Sequence, residues 1–390
     1  MNGALFPKFT EDCPPQAAMI FFETTPKRVV WPLRKRRPSR IKVAALAPCL
    51  FAFCSVGLLT AQISTGEEHA TRAGQLLQAG DLKGAEGEMR QAVELSPKEP
   101  LYLLRLGVIL GMQQRPEEAS VCFEKALKLD PSNLTLRRNL AASQWQLGRL
   151  GAARENLEFV LKAEPGDGQA LLLLGMVFVS TKHYAAALAL AQRAAEALPG
   201  FYRAYALKGM AEMRMQRYTD AAKSYARAAE LNPKAPEVNL GLAMSQWAAG
   251  NVQQSFATFE EGLKRFPGDA YHCQEYGRAL LKSGQPNEAA EARAVALWQK
   301  AITLNGSLSL PHYLLGDLAL RKGNAEKAVQ HLEQAAKLDP EGSKVHFALF
   351  RAYRRLGRKE EAARELETFQ KLKAAEEAAP AAPLLIGGLD

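Results

Sequence analysis

From residue 66 to residue 376 the chain alternates two apolar patterns, and the pair of patterns recurs every 34 residues. In the first, apolar residues stand at positions 4, 7 and 11 of each copy, as in Leu103, Leu106 and Leu110, or Leu171, Leu174 and Phe178. Those spacings share one face of a 3.6-residue helix. Position 15 is often glycine (Gly80, Gly148, Gly250, Gly284, Gly323, Gly357), which suits the end of a helix. The second pattern carries small residues at positions 20 and 27 and closes on a proline at position 32. Pro97, Pro131, Pro165, Pro199, Pro233 and Pro267 keep the period, and Pro340 returns to it after a slip of five residues. Proline ends a helix by clashing with the preceding turn. The pattern therefore predicts an all-α array of nine antiparallel helix pairs, A then B, and essentially no strand. The copies span 66–99, 100–133, 134–167, 168–201, 202–235, 236–269, 270–308, 309–342 and 343–376.

Small residues set how closely the helices meet. Position 20 is Ala85, Ala119, Ala153, Ala187, Ala221, Ala289, Ala328 and Ala362, with Ser255 as the exception. Position 8 is Gly107, Gly175, Gly209, Gly277 and Gly316, with Ala73, Ala141 and Ala243 elsewhere. A larger side chain there would hold two helices apart.

Leu103, Leu106-Gly107, Leu110, Ala119, Phe123, Ala126 and Pro131 follow in the order of the tetratricopeptide repeat, and the chain resembles that family over about residues 66–376. The resemblance implies a right-handed α-solenoid in which the A helices line a concave face. Three departures stand out. Tryptophan is absent from position 4. The seventh copy has five extra residues, placed around 291–297, which predict a longer or bulged B helix. The ninth has Phe350 at position 8 and Ala374 at position 32, so its last helix should run on to about Ala379 and cap the array. Residues 377–390 are then a tail.

The concave face in this family uses positions 2, 5, 9, 12 and 13 of helix A, and here several are apolar. Position 5 gives Leu104, Leu172, Leu240 and Tyr313; position 9 gives Val108, Met176, Met210 and Met244; position 12 includes Trp145, Met213 and Trp247. This second stripe is distinct from positions 4, 7 and 11. Two readings are open: it packs adjacent A helices together, or it is a groove for an apolar peptide, which adaptable methionines would suit. The charged clamp by which some family members grip a C-terminal carboxylate needs Lys and Asn in successive A helices. The corresponding places hold Ala70, Gly74, Leu104 and Val108, which argues against that role.

Charge changes the picture little. The formal net charge is +9, but residues 1–65 carry nine basic against three acidic residues, and the rest carries 41 against 38. A nearly balanced array is a poor polyphosphate binder, so nucleic acid is not an expected partner. Cys122 and Cys273 lie several repeats apart and read as buried thiols. His69, His312 and His346 all stand at position 4 and read as half-buried packing residues, with no carboxylate in register. There is no phosphate-binding loop, nucleophile elbow or zinc-binding helix motif, and no cofactor is implied. With the array using nearly the whole chain, the reading is a non-enzymatic scaffold.

Before the array, eight basic residues lie within 27–42, and residues 43–61 are uncharged and largely apolar. A basic stretch, a short apolar run and a small residue at its exit describe a secretory signal cut near Ala61. Nineteen residues also just suffice for an uncleaved membrane anchor. Either predicts export, to the periplasm or cell envelope, with membrane association through 43–61 in the second case. The functional expectation is an exported scaffold that binds protein segments or peptides in an apolar concave groove. Its rival is a membrane-anchored subunit that organises a complex through its convex face and ends.

Overall fold

The computed structural model describes residues 65–282 and 287–378. The leader and residues 379–390 of the tail lie outside them. Among the described residues no helix is long and apolar enough to cross a membrane.

Eighteen helices follow one another in pairs. Those of the first three repeats are α1 (Gly66–Gln78), α2 (Leu82–Leu95), α3 (Pro100–Met112), α4 (Pro116–Leu129), α5 (Leu134–Gln146) and α6 (Leu150–Ala163). The next three repeats hold α7 (Gly168–Ser180), α8 (Tyr184–Ala197), α9 (Tyr202–Arg214), α10 (Tyr218–Leu231), α11 (Pro236–Ala248) and α12 (Val252–Arg265). The last three hold α13 (Ala270–Lys282), α14 (Glu288–Leu304), α15 (Ser309–Arg321), α16 (Ala325–Leu338), α17 (Ser343–Arg355) and α18 (Lys359–Ala378). Odd-numbered helices are the A helices and even-numbered ones the B helices. The described residues form two compact units, divided between Pro165 and Gly166.

Local chemistry explains the helix ends. Asn133 and Asp167 cap α5 and α7 by accepting from the backbone N–H of Leu136 and of Gln169 and Ala170. Pro100, Pro116 and Pro236 open their helices at the first turn, where the missing N–H costs nothing. Each described A helix except α13 ends the same way. The N–H of position 16 reaches back to the carbonyl of position 11, as in Asp81 to Leu76 at 2.9 Å and Arg149 to Gln144 at 2.8 Å. That closure puts position 15 in the left-handed region, with φ of 82° at Gly80 and 70° at Gly148. Three repeats hold a non-glycine there: Gln114 (φ 62°), Lys182 (φ 64°) and Gln216 (φ 60°). Left-handed backbone costs a residue with a Cβ roughly 1–2 kcal/mol, which packing on either side must offset.

The core lies along the seam between A and B helices of each repeat. Ala85, Ala119, Ala153, Ala187, Ala221 and Ala328 are fully buried at position 20. In repeats 2, 5, 7 and 8 the glycine at position 8 receives the large side chain of position 24: a Cβ on Gly209 would come within 2.8 Å of the Tyr225 ring, and one on Gly277 within 2.6 Å of Trp298. This interlock decides the register of the seventh repeat and corrects the sequence reading. Ala289 is exposed, and Ala294 takes its place in the close contact. The five extra residues therefore precede Ala294 rather than falling within 291–297. Helix α14 is longer than the other inner B helices, with 17 residues against 14. Helix α18 runs for 20 residues, to Ala378.

Position 11 departs from a purely apolar seam in three repeats. Gln144, Glu212 and Gln246 are buried there. Each has a partner at position 23 of the facing B helix. Asn156 Nδ2 donates to Gln144 Oε1 at 3.0 Å, Ser224 Oγ to Glu212 Oε2 at 2.6 Å, and Thr258 Oγ1 to Gln246 Oε1 at 2.8 Å. A buried polar group is tolerated when its hydrogen bonds are met. Position 23 also corrects the reading of the histidines. Carboxylates do join them in register: His69 Nδ1 lies 2.7 Å from Glu88, and His346 Nδ1 lies 2.6 Å from Glu365. His312 instead faces the His331 ring, with centroids 5.8 Å apart. Cys122 and Cys273 are free and buried, and burial raises the pKa of both thiols.

Candidate peptide-binding face

In the second unit the A helices of successive repeats pack directly on one another, α7 on α9, then α11, α13, α15 and α17 in turn. Their common face is built from positions 2, 5, 9, 12 and 13. The eleven residues expected to line a groove divide between the units. Leu104, Val108 and Trp145 are half-buried in the first unit. The other eight belong to the second.

Within that second group burial is uneven. Leu172, Met176 and Met213 are 3%, 8% and 9% exposed. They serve packing between helices and leave little surface for a ligand, which corrects their assignment as groove lining. Met210, Leu240, Met244, Trp247 and Tyr313 are half-buried and keep accessible surface. Met244 packs on two cores at once, one around Met213, Ala221 and Tyr225 and the other around Phe259, Cys273 and Tyr276. Leu240 and Trp247 lean on the second of these. The same side chains join repeats and present an apolar strip along α9 and α11.

Further along the same face the chemistry changes from apolar to basic. Arg278 and Lys282 of α13, Arg321 of α15, and Lys344, Arg351, Arg354 and Arg355 of α17 all occupy positions 2, 9, 12 or 13. Two acidic residues share these helices. Glu275 pairs with Arg278, and Asp317 with Arg321 at 3.2 Å. Arg354 lies over the Phe350 ring, and Arg355 donates to the Leu320 carbonyl. Among the described residues, Lys282, Lys344 and Arg351 have no carboxylate within ion-pair reach. Partial desolvation lowers the Lys282 pKa, and Arg278 and Lys344 push it the same way against Glu275. Burial and then Asp317 raise the Tyr313 pKa, with Arg351 and Arg321 opposing. The sequence reading missed this basic stretch because charge was summed over the array. Summed helix by helix, it is visible.

Among the described residues no group of three or more His, Cys, Asp or Glu side chains is arranged to hold a metal ion. The face can bind through apolar contact and charge.

Comparison with known proteins agrees with this geometry. Models of the tetratricopeptide repeat match residues 100–133, 138–200, 207–270 and 319–382. The chain belongs to the tetratricopeptide repeat family. It is a scaffold for protein–protein interaction and not an enzyme. It is similar to anaphase-promoting complex subunit 3 of Schizosaccharomyces pombe, 21% identical over 67% of this chain and 38% of that one. It is also similar to the peroxisomal targeting signal receptor of Eremothecium gossypii, 25% identical over 57% of this chain and 38% of the receptor. The chain thus spans about two-fifths of the length of these curated relatives. Among solved structures, yeast Tom70 aligns with a TM-score of 0.52 at 15% identity, over 80% of this chain and 89% of Tom70. A chain of the APC/C hetero-tetramer Cut9-Hcn1 aligns with a TM-score of 0.53 at 18% identity, over 82% of this chain and 64% of that one. At these identities the structural likeness is one of fold.

Proposed function

We propose that this protein is an exported repeat scaffold that holds an extended, partly apolar segment of another protein against its A helices. The observation that carries the binding reading is the strip of Met210, Leu240, Met244 and Trp247, apolar, accessible and contiguous on two neighbouring A helices of one unit. Burying one such side chain is worth roughly 1.5–3 kcal/mol. Four give about 6–12 kcal/mol gross, of which association and ordering remove roughly 4–15 kcal/mol. Micromolar affinity is therefore the upper limit from this strip alone, with further affinity and the partner's identity set by other contacts.

The test is a titration of the full chain with extended apolar peptides, followed by tryptophan fluorescence. A binding peptide should shift the emission, and Trp247→Phe should remove the shift. Met210→Glu should weaken binding by about tenfold or more, the equivalent of roughly 1.4 kcal/mol. Its unfolding midpoint should stay near that of the parent protein. An emission shift that survives in Trp247→Phe, or binding indifferent to Met210→Glu, would remove the strip from the binding site.

Export is supported by the basic-then-apolar order of residues 27–61. A reporter enzyme that works only outside the cytoplasm, fused after Gln62, is expected to be active. Inactivity of that fusion, together with activity of a cytoplasm-only reporter fused at the same place, would overturn this part, and N-terminal sequencing separates cleavage from anchoring.

A further inference from the structure

The charge on the second unit is segregated by face. In repeats 7 to 9 every Lys and Arg of the A helices falls at a groove position, seven of them against Glu275 and Asp317. The B helices behind them show no such excess. Helices α14 and α16 each carry two basic and two acidic residues, and α18 carries four basic and six acidic ones. The imbalance is therefore a property of one surface and not of the composition of these repeats. Gathering unmatched cations on a single face is unfavourable, because like charges within a Debye length of about 8–10 Å repel. Lys282, Lys344 and Arg351 sit on this face without an ion pair among the described residues, although Glu275 attracts Lys282 from farther off. An anionic ligand would relieve that repulsion on binding.

We propose that the A face of repeats 7–9 binds an acidic, extended protein segment, with Lys282, Lys344 and Arg351 as its unmatched cations. The inference rests on the reading that the A face is the binding surface, and it adds the chemical class of the partner. Two observations favour a protein segment over nucleic acid. The basic stretch continues from the apolar strip on α9 and α11 along one run of directly packed A helices. Half-buried apolar side chains, Leu281 and Tyr313, occupy positions 12 and 5 of the same face. A ligand suited to both regions carries acidic and apolar side chains together. Packed helices lie roughly 8–10 Å apart, and an extended chain rises about 3.3 Å per residue. Acidic residues three positions apart therefore fall one per A helix, and those six apart reach from Lys282 on α13 to Arg351 on α17, with α15 between.

The probe is a labelled peptide of three consecutive Glu-Leu-Ser triplets, titrated by fluorescence anisotropy against the full chain at low salt. The matched control has Gln in place of Glu. The acidic peptide is expected to bind at least about tenfold more tightly than the control, and raising the salt to about 0.5 M should erase most of the difference. The double variant Lys282→Glu, Arg351→Glu should erase it at low salt as well. Both side chains are exposed, so the fold should persist, and circular dichroism checks this. Where the double variant loses helicity, Lys282→Gln and Arg351→Gln made singly should each narrow the difference. Equal binding of the acidic peptide and its Gln control would overturn the proposal. So would a thymidine oligonucleotide of equal charge that binds as tightly as the acidic peptide. Failure of the two readings is distinguishable. An acidic preference that survives in Met210→Glu keeps the charge inference without the apolar strip. A Trp247 signal with no acidic preference keeps the strip and removes the charge inference.

Discussion

Trp298→Ala is expected to destabilise the array by about 3–5 kcal/mol, the range for truncating a buried aromatic residue. The side chain is 1% exposed, in a core with Ala294, Leu315 and Leu318. Its ring rests on Gly277, and its indole N–H donates to the carbonyl of Gln274 at 3.1 Å. Alanine would leave a cavity and remove the indole's added hydrogen bond to that helical carbonyl, in the repeat whose spacing is interrupted. Helices α13 and α14 can collapse onto that space only partly, because their backbones are fixed by packing on the repeats at either side. Stability in a repeat array is the sum of local terms and neighbour interfaces. The loss should therefore show as early melting of the C-terminal repeats, seen as a separate first transition in the helical circular dichroism signal. A melting curve that overlies the parent would show that this core is far looser than its burial indicates.

The second large effect runs the other way, from too much volume. Tyr225 is gripped between two glycines, Gly209 of its own repeat and Gly241 of the next. A Cβ on Gly241 would overlap the edge of the ring, with Tyr225 Cζ at 2.6 Å. Tyr225 is 8% exposed and belongs to the core that holds Ala221 and Val238, so it has little room to move aside. Gly241→Val is expected to cost about 1–3 kcal/mol by overpacking. Tyr225→Leu removes the obstructing ring edge, so the double variant should lose less than the sum of the two single changes, by roughly 0.5 kcal/mol or more. Strict additivity in chemical denaturation would show that valine is accommodated without touching Tyr225.

Much of the fold was legible because the period is a physical one. A helix pair that buries one face on its neighbour needs small residues at fixed places, and those places recur in the chain. The seventh repeat defeated the spacing for a specific reason. Its B helix offers Ala289, Ala290, Ala292, Ala294 and Ala296, any of which could fill a slot for a small residue. Only the bulky partner of Gly277, Trp298, fixes which one does. The polar seam was illegible for a related reason. Gln144, Glu212 and Gln246 contradict an apolar pattern read along one helix, and make sense only beside Asn156, Ser224 and Thr258 of the next. The candidate face was half legible. Periodicity put Leu172, Met176 and Met213 on the same stripe as Met210 and Met244, but how deeply each is covered depends on the sizes of side chains a whole repeat away.

Met244 sits in two cores and on the accessible strip together. A ligand pressed against it touches the joint through which repeat 6 holds both of its neighbours. Such a ligand finds its seat only when all three repeats are assembled, so its binding energy is added to theirs. The partner then works as a splint: while it is in place, the repeats on either side of α11 cannot part without first letting it go.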